Sequence, residues 1–543
     1  MAVGREMRWW GWGEDDHASP PPAHGIAWVE GRLGAPLAPA TAPPALDAVK
    51  LSRTRLKRRA AAALRAIVGE DAVREDASAR IVHAAGKGYP DLIRLRAGDA
   101  RPAPDAVVLP GDRAQVAAIL ALCGEAGIAV VPFGGGTSVV GGVEPLRGGL
   151  DAVIALDLGR LTRMRELDER SRLATFEPGL RGPEVEYLLR ERGHTLGHFP
   201  QSFEYSTVGG WVATRSAGQA STGYGRIDQV VAGATLTAPA GEIALAARPA
   251  SAAGPDLREL VVGSEGVLGV LTEVTLKVRP RPASGIYEGW MLPSFAAGTA
   301  ALREIAQSGV APDVTRLSDE HETEMSLALA GLRGAKGAIS GAYMRARGVA
   351  GGSLAVFGWE GDPEVVAKRR RATIAVLARH GGATLGTSPG RAWARGRFHA
   401  PYLRDDLLGR GVLVETLETA GTWSGLERLY EGVRAALEAH APFVACHISH
   451  VYSSGASLYF TFLAPMERAD PIGQWSAVKH AACEAILACG GTITHHHAIG
   501  RDHARYLTAE DGALGVAALR AVKATLDPAG IMNPGKLLPT SSA

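Results

Sequence analysis

Val130-Val131-Pro132-Phe133-Gly134-Gly135-Gly136-Thr137-Ser138-Val139-Val140-Gly141-Gly142 is the stretch from which the rest of the chain is read. It follows an apolar helical run, Gln115 to Cys123, and a short apolar strand, Ile128 to Val131. Three consecutive glycines let the backbone turn sharply and approach a ligand with no Cβ in the way. Thr137 and Ser138 add hydroxyls beside exposed backbone N–H groups, and a concave run of amides is a cradle for pyrophosphate. A plain glycine turn fits the same residues. The stretch is not a Walker A loop, because no Gly-Lys-Ser/Thr ends it, and it does not fit G-x-G-x-x-G followed by a helix.

Two further stretches narrow the choice. Pro200-Gln201-Ser202-Phe203-Glu204-Tyr205-Ser206-Thr207-Val208-Gly209-Gly210-Trp211 leads to Thr214-Arg215-Ser216-Ala217-Gly218. Gly263-Ser264-Glu265-Gly266-Val267-Leu268-Gly269-Val270-Leu271-Thr272-Glu273 follows later. In this order the three stretches resemble the FAD-binding domain of vanillyl-alcohol oxidase type flavoproteins. The resemblance implies an α+β fold: a two-part FAD-binding domain, a mixed-sheet substrate (cap) domain and a helical C-terminal segment returning to the flavin. The expected divisions are an N-terminal arm and helical region over 1–100, the FAD domain over 101–282, the cap over 283–473 and the C-terminal segment over 474–543.

Length and composition agree with a large globular enzyme. A chain of 543 residues exceeds one ordinary core. Net charge is +2 with 46% apolar residues, which argues against a nucleic-acid partner, since that usually needs a strong basic face. Cys123, Cys446, Cys483 and Cys489 form no C-x-x-C pair, which fits a reducing compartment. No signal peptide is expected in Met1 to Gly13, and no window reaches ~18 uninterrupted apolar residues, the length of a membrane span.

Along the chain, Arg8-Trp9-Trp10-Gly11-Trp12-Gly13 reads either as an apolar arm tied onto the body or as a loose terminus. Pro20 to Pro44 reads as a linker or extended wrap. Arg53 to Arg65 is a basic helix, a solvated surface element or a membrane contact. Tyr89-Pro90-Asp91 marks a turn. Asp112 caps a helix from Arg113 to Glu125. Strands such as Ser353 to Trp359 and Phe443 to Val451 alternate with helices such as Pro363 to His380 and Gly425 to His440, the pattern of a mixed sheet with helices on one side.

Several residues carry chemistry. His495-His496-His497 on an extended segment would place His495 and His497 on one face and His496 on the other. They could ligate a metal, with His447 and His450 nearby, act as acid/base groups, or be buried structural histidines. Tyr459, in the alternating strand Leu458 to Phe462, is a core tyrosine or an acid/base group whose pKa neighbours would have to lower. Arg316 and Arg404 carry the planar fork that suits phosphate or carboxylate, and each also has an Asp close by in sequence.

Pro312-x-x-x-Arg316-Leu317-x-Asp319, Glu415-Thr416-Leu417-Glu418-Thr419, Leu458-Tyr459-Phe460 and His495-His496-His497 join the glycine stretches in a narrower pattern. It resembles the alkyldihydroxyacetonephosphate synthases, flavoenzymes of ether-lipid synthesis, from about Arg8 to Leu538. The resemblance implies exchange of the acyl group of acyl-dihydroxyacetone phosphate for a long-chain fatty alcohol through a flavin N5 adduct. It implies catalytic roles for Tyr459, His495, His496 and His497, and substrate contacts for Arg404 and Arg316. FAD contacts would come from Pro132 to Ser138, Gln201, Ser202, Ser206, Thr207, Gly209, Gly210, Thr214, Ser216, Ala217, Glu265, Gly266, Gly269 and Val270, with no metal. Gln201 departs from the family, which often has Asp there. A homodimer and a cytoplasmic location, peripheral to the membrane because the substrates are lipids, complete the expectation. Thr540-Ser541-Ser542-Ala543 is not a Ser-Lys-Leu peroxisomal address. The alternative is an FAD-dependent 2-hydroxy-acid dehydrogenase or oxidase of the D-lactate or glycolate type. Its usual His-Gly-Asp-Gly-Asn-like and Gly-Glu-His-Gly-like stretches are replaced here by His450-Val451-Tyr452-Ser453-Ser454-Gly455 and Thr494-His495-His496-His497-Ala498.

Overall fold

The glycine stretch is set at the end of a buried strand. In the computed structural model, which describes residues 7–17, 20–331 and 334–539, the Asp112 carboxylate accepts from Gln115 N at 2.8 Å and starts the helix Arg113–Ala126. That helix ends at Gly127, whose φ of 65° is the left-handed turn a glycine adopts without strain. The strand Ile128–Phe133 follows directly and runs parallel to Ala152–Asp157, which is parallel in turn to Ala106–Val108. Both faces of such strands are covered, so they read as continuous apolar runs. Val73–Arg74 closes the edge of this four-stranded sheet antiparallel. The C-terminal segment returns here: Val130 N donates to Ile531 O and Asn533 N donates to Val130 O, at 2.8 and 2.9 Å. Thr540 to Ala543 and residues 1–6 lie outside the described residues.

A five-stranded antiparallel sheet, in the order Met164–Asp168, Leu173–Phe176, Val270–Lys277, Val231–Ala238 and Gly241–Leu245, carries the second flavin-type half. The helices Gly182–Arg190 and Val208–Ala213 pack on it through Val185, Leu189, Val208 and Trp211, against Phe176, Leu236 and Val274.

The third sheet has seven strands, and alternation along each divides its work. Leu413, Leu417, Val444, Cys446, Ile448, Leu458, Phe460 and Phe462 face a core built with the helices Phe295–Gln307, Pro363–Arg379, Leu426–Glu438 and Pro471–Ala488. The alternate residues Val414, Thr416, Arg316, His447, Tyr459, Thr461 and Leu463 line a large cavity on the opposite side. The sheet is therefore one wall of the site.

Some sequence expectations change. Every pairing in the seven-stranded sheet is antiparallel, so the mixture of parallel and antiparallel pairs belongs to the four-stranded sheet. Strand-helix-strand spacing alone fits either direction of return. Tyr89-Pro90-Asp91 starts the helix Tyr89–Arg96 rather than a turn, because proline suits a first helical turn that has no N–H to satisfy. Pro20 to Pro44 contains the helix Ala23–Leu33, whose apolar positions Ile26, Val29 and Leu33 are spaced for one face and whose end is Gly34 at φ 68°. The aromatic cluster is tied down: Trp12 is buried, meets Tyr205 edge-on at 5.8 Å and donates its backbone N–H to Asp405 Oδ2 at 2.5 Å. The basic helix, Arg58–Val68, packs Ala61, Leu64 and Val68 into the first core and leaves Arg58 and Arg59 exposed. Among the described residues no helix is long and apolar enough to cross a membrane.

Candidate active site

The sheets enclose a cavity of about 670 Å³. One end is bounded by Pro132 to Ser138, by Gln201, Ser202, Ser206, Thr207, Gly209 and Gly210, by Thr214, Ser216 and Ala217, and by Glu265, Gly266 and Gly269. Val270 does not reach it; as a strand residue paired with Thr237 it is buried in the first core.

Two observations decide whether this end fits FAD. The N–H groups of Gly134, Gly135, Gly136, Thr137 and Ser138 donate to no protein acceptor among the described residues, although their chain lines the cavity. Of these residues Gly136 is buried and the rest are half-buried, and such a run of unpaired amides suits an anionic or polar partner. The backbone is also packed as closely as glycine permits: a Cβ on Gly135 would meet Tyr205 O at 1.9 Å, and Gly136, at φ 64°, would meet the Phe133 ring at 2.6 Å. The residues fit a dinucleotide whose pyrophosphate lies along these amides.

The other end is apolar. Gly25, Ile26 and Val29 of the helix Ala23–Leu33 face Met325 and Leu329 of the helix Glu320–Ala330, with Leu403, Leu407, Val414 and Leu463 completing the walls.

Between these ends sits the histidine loop, which is irregular and not a strand. Two buried carboxylates hold it. Glu418, on the strand Val412–Thr422, accepts from the backbone N–H groups of His495, His496 and His497 at 2.5, 3.1 and 2.8 Å and from the Thr494 hydroxyl at 2.5 Å. Glu265 accepts from Ile499 N and Gly500 N at 2.8 and 2.7 Å. Between the two grips Ala498 takes φ 75°, an uncommon value for a residue with a Cβ. Burial would raise Glu418; the neighbouring imidazoles and the Thr494 hydroxyl outweigh it and hold the carboxyl well below the usual range. Burial pushes Glu265 up to about 7 against its two amide donors. The three imidazoles are pushed down by burial, His497 to about 3, so the loop pairs neutral rings with one carboxylate.

His496 and His497 line the cavity, whereas His495 is buried behind them. His495 Nδ1 lies 2.9 Å from His496 Nδ1, and His495 Nε2 lies 2.7 Å from the Tyr452 hydroxyl. His450 stacks on His495 with ring centres 5.0 Å apart. The ligand atoms of His450, His495 and His496 fall within 4.8 Å of one another, a spacing that a metal ion could also use.

Tyr459 faces the cavity, stacked on His447 at 4.8 Å and on His496 at 6.0 Å. The expectation that neighbours lower its pKa is reversed, since burial pushes the phenol up to about 12. Beside it, Arg316 Nη2 donates to Glu322 Oε1 at 2.9 Å, and His447 Nδ1 lies 2.8 Å from the same oxygen. Arg316 and His447 hold Glu322 at about 2 although burial alone would raise it. Arg404 Nη1 donates to Lys87 O at 2.8 Å and Nη2 to Asp405 Oδ1 at 3.1 Å. Both arginines are thus ion-paired and both also line the cavity.

Sequence reasoning passed over Glu322, gave Glu418 and Tyr452 no role of their own, and read Glu265 as an FAD contact, whereas its carboxylate here anchors Ile499 and Gly500. A signal was present for Glu418: it alternates with Val414 and Thr416 on one face of a largely buried strand, and a buried carboxylate there needs donors.

Residues 104–246 match the family described as FAD binding domain, and residues 281–537 match FAD linked oxidases, C-terminal domain. The chain is 34% identical over 490 residues to the alkyldihydroxyacetonephosphate synthase of Dictyostelium discoideum, covering 88% of this chain and 80% of that protein. It is 35% identical over 494 residues to the enzyme of the same name from Trypanosoma brucei brucei, with the same coverage. A solved structure of alkyldihydroxyacetonephosphate synthase superposes with a TM-score of 0.84 at 28% identity, covering 97% of this chain and 98% of that one.

Glu418→Gln keeps the shape of the side chain and removes its charge. It is expected to cost about 3–5 kcal/mol in urea denaturation at neutral pH, the range for stripping one partner from a buried ionic network. The Glu418 contribution is present above the ordinary carboxyl value of 4.5 and is lost as pH falls below it, so the variant shows less acid destabilisation than the parent.

Proposed function

The chain belongs to the alkyldihydroxyacetonephosphate synthase family, and from that premise we propose that this FAD-dependent enzyme exchanges the acyl group of acyl-dihydroxyacetone phosphate for a long-chain fatty alcohol. The carrying observation is one continuous cavity with three parts: an amide-lined end, a middle bearing Tyr459, His496, His497 and two arginines, and an apolar arm. A ketose phosphate with a long acyl chain needs all three.

The division of work follows from the residues. Gly134 to Ser138 would hold the FAD pyrophosphate, with Gln201, Ser202, Ser206, Thr207, Thr214, Ser216 and Ala217 around the rest. Bound there, the flavin would supply an electrophilic centre at N5. Arg404 and Arg316 meet the anionic part of the substrate with guanidinium forks that the Lys87 carbonyl, Asp405 and Glu322 keep aimed. The arm beneath the helix Ala23–Leu33 takes the alkyl chain by apolar contact and keeps bulk water from the reacting carbon.

The exchange requires a proton to leave C1 beside the ketone and another to be returned or lost. Tyr459, with a pKa pushed to about 12, is protonated at rest and donates. Acting as base, it needs its phenolate form, so the rate rises with pH across the neutral and mildly alkaline range. His496, neutral and stacked on Tyr459 with ring centres 6.0 Å apart, is the group placed to take up the proton that leaves C1.

The dehydrogenase reading would have His450, His495 and His496 ligate a metal. Both nitrogens of His495 are already engaged, with His496 Nδ1 and Tyr452, and His450 Nδ1 meets the Ser221 hydroxyl at 2.7 Å. The cluster is read as hydrogen-bonded and metal-free.

The yellow protein, given acyl-dihydroxyacetone phosphate and a labelled long-chain alcohol, is expected to yield labelled ether lipid and free fatty acid without consuming oxygen. Tyr459→Phe should lower kcat by about 10²–10⁴-fold, the usual weight of a placed acid/base group, with flavin content unchanged. Flavin bleaching by D-lactate, together with one transition metal per chain and no ether product, would establish the dehydrogenase instead.

Lipid substrates also bring the proposal to peripheral membrane contact and, by family, to a homodimer. The exposed basic run Arg53, Arg55, Lys57, Arg58 and Arg59 is the contact face, since the apolar side of its helix is spent on the core. Vesicles rich in anionic lipid are expected to float the protein, and a variant with these residues changed to Gln is expected to stay at the bottom of the gradient.

A further inference from the structure

A second cavity, of about 570 Å³, lies behind the histidine loop. Its walls include Ser221, Thr222, Gln229, Lys277, Arg279, Tyr452 and Ser453, and no residue lines both cavities. Lys277, Arg279 and Ser453 are exposed, so this space is open to water, and its lining is polar where the arm of the first cavity is apolar. The wall between the two is crossed by a chain of side chains. His496 lines the first cavity; His495, buried, bonds His496 through its Nδ1 and Tyr452 through its Nε2; Tyr452 lines the second cavity.

Each link can take a proton on one side and release one on the other, which is the requirement for a relay. Imidazole has two ring nitrogens, and a phenol both donates and accepts. A proton arriving at His496 lets its Nδ1–H pass to His495 Nδ1, then His495 Nε2–H to the Tyr452 oxygen, then the Tyr452 proton to water. No net charge stays behind. The positive charge in transit passes beside the Glu418 carboxylate, whose Oε2 is 3.6 Å from His496 Nδ1. An alkyl chain seated in the apolar arm would shield that end of the first cavity from water.

Resting on the reaction proposed above, we propose that the proton taken from substrate C1 exchanges with solvent through His496, His495 and Tyr452 into the second cavity. Tyr452 is then a positioning and relay residue that never touches substrate. A shorter link, His450 Nδ1 to the Ser221 hydroxyl at 2.7 Å, also spans the wall and serves as the control.

The test uses the flavin-loaded enzyme and Tyr452→Phe, which keeps the ring and removes only the hydroxyl. Acyl-dihydroxyacetone phosphate is incubated in D₂O without alcohol, and deuterium at C1 is followed by mass spectrometry. In parallel, exchange of the His495 ring N–H with water is measured by NMR on histidine-labelled protein without substrate. Tyr452→Phe is expected to slow both exchanges about tenfold or more, at unchanged flavin content and substrate Kd, with free imidazole restoring the C1 rate by entering the second cavity. Parental rates in Tyr452→Phe overturn the proposal, as does slowing seen only in Ser221→Ala. If the parent shows no C1 exchange while its His495 N–H still exchanges in a Tyr452-dependent way, the relay stands and the assigned reaction fails.

Discussion

One loop between two buried carboxylates holds the site together. Glu418 comes from the seven-stranded sheet and Glu265 from the loop before the strand Val270–Lys277, and between them they take five backbone N–H groups of residues 495 to 500. Charged acceptors make the strong hydrogen bonds. Unmaking these inside the protein would leave both acids and amides unsatisfied. The position of His496 and His497 is therefore not a local property of a His-His-His string. It is set by two acids, one on the seven-stranded sheet and one on a loop of the flavin-type half, and the left-handed Ala498 is the cost of meeting both.

The same grip fixes the electrostatics. Burial lowers the pKa of the His496 and His497 rings although the Glu418 carboxylate beside them pulls the other way, so the rings rest neutral. Neutral histidines next to a high-pKa tyrosine make a site able to pass protons without carrying a standing charge. The standing charges lie at the sides, on Arg316 with Glu322 and on Arg404 with Asp405, where an anionic substrate can meet the cations. Asn533 adds a further tie: its Nδ2 donates to Glu265 O at 2.7 Å and to Gly142 O at 3.1 Å, joining the C-terminal return to the end of the glycine stretch.

What the sequence discloses follows from the range of the forces involved. Local rules read well: Asp112 before its helix, and the glycine run, whose amides the structure leaves without protein acceptors among the described residues. Alternation in Leu458 to Phe462 marked a strand but left Tyr459 open between core and site; the structure turns it to the cavity, opposite Leu458, Phe460 and Phe462. Features that depend on distant partners were hidden. The helix Ala23–Leu33 looks like linker because its helix-forming surface is spent on a cavity whose other walls lie some three hundred residues away in the chain. Alternation misplaces the histidines because the loop is not extended: Glu418 pulls three successive amides toward one point, which no strand could do. Strand direction in the third sheet and the opposed pKa shift of Tyr459 were likewise decided by the assembled surroundings.

The account stands on substitution at C1 of the ketose phosphate and not at the acyl carbonyl. An ¹⁸O-labelled fatty alcohol tests this most directly. If the alcohol attacks C1, its own oxygen becomes the ether oxygen, and the departing carboxylate keeps both oxygens of the ester. The expected result is ether lipid carrying the full ¹⁸O label and free fatty acid carrying none. Label recovered in a fatty ester, with free dihydroxyacetone phosphate and no ether, would show attack at the acyl carbonyl and contradict the account.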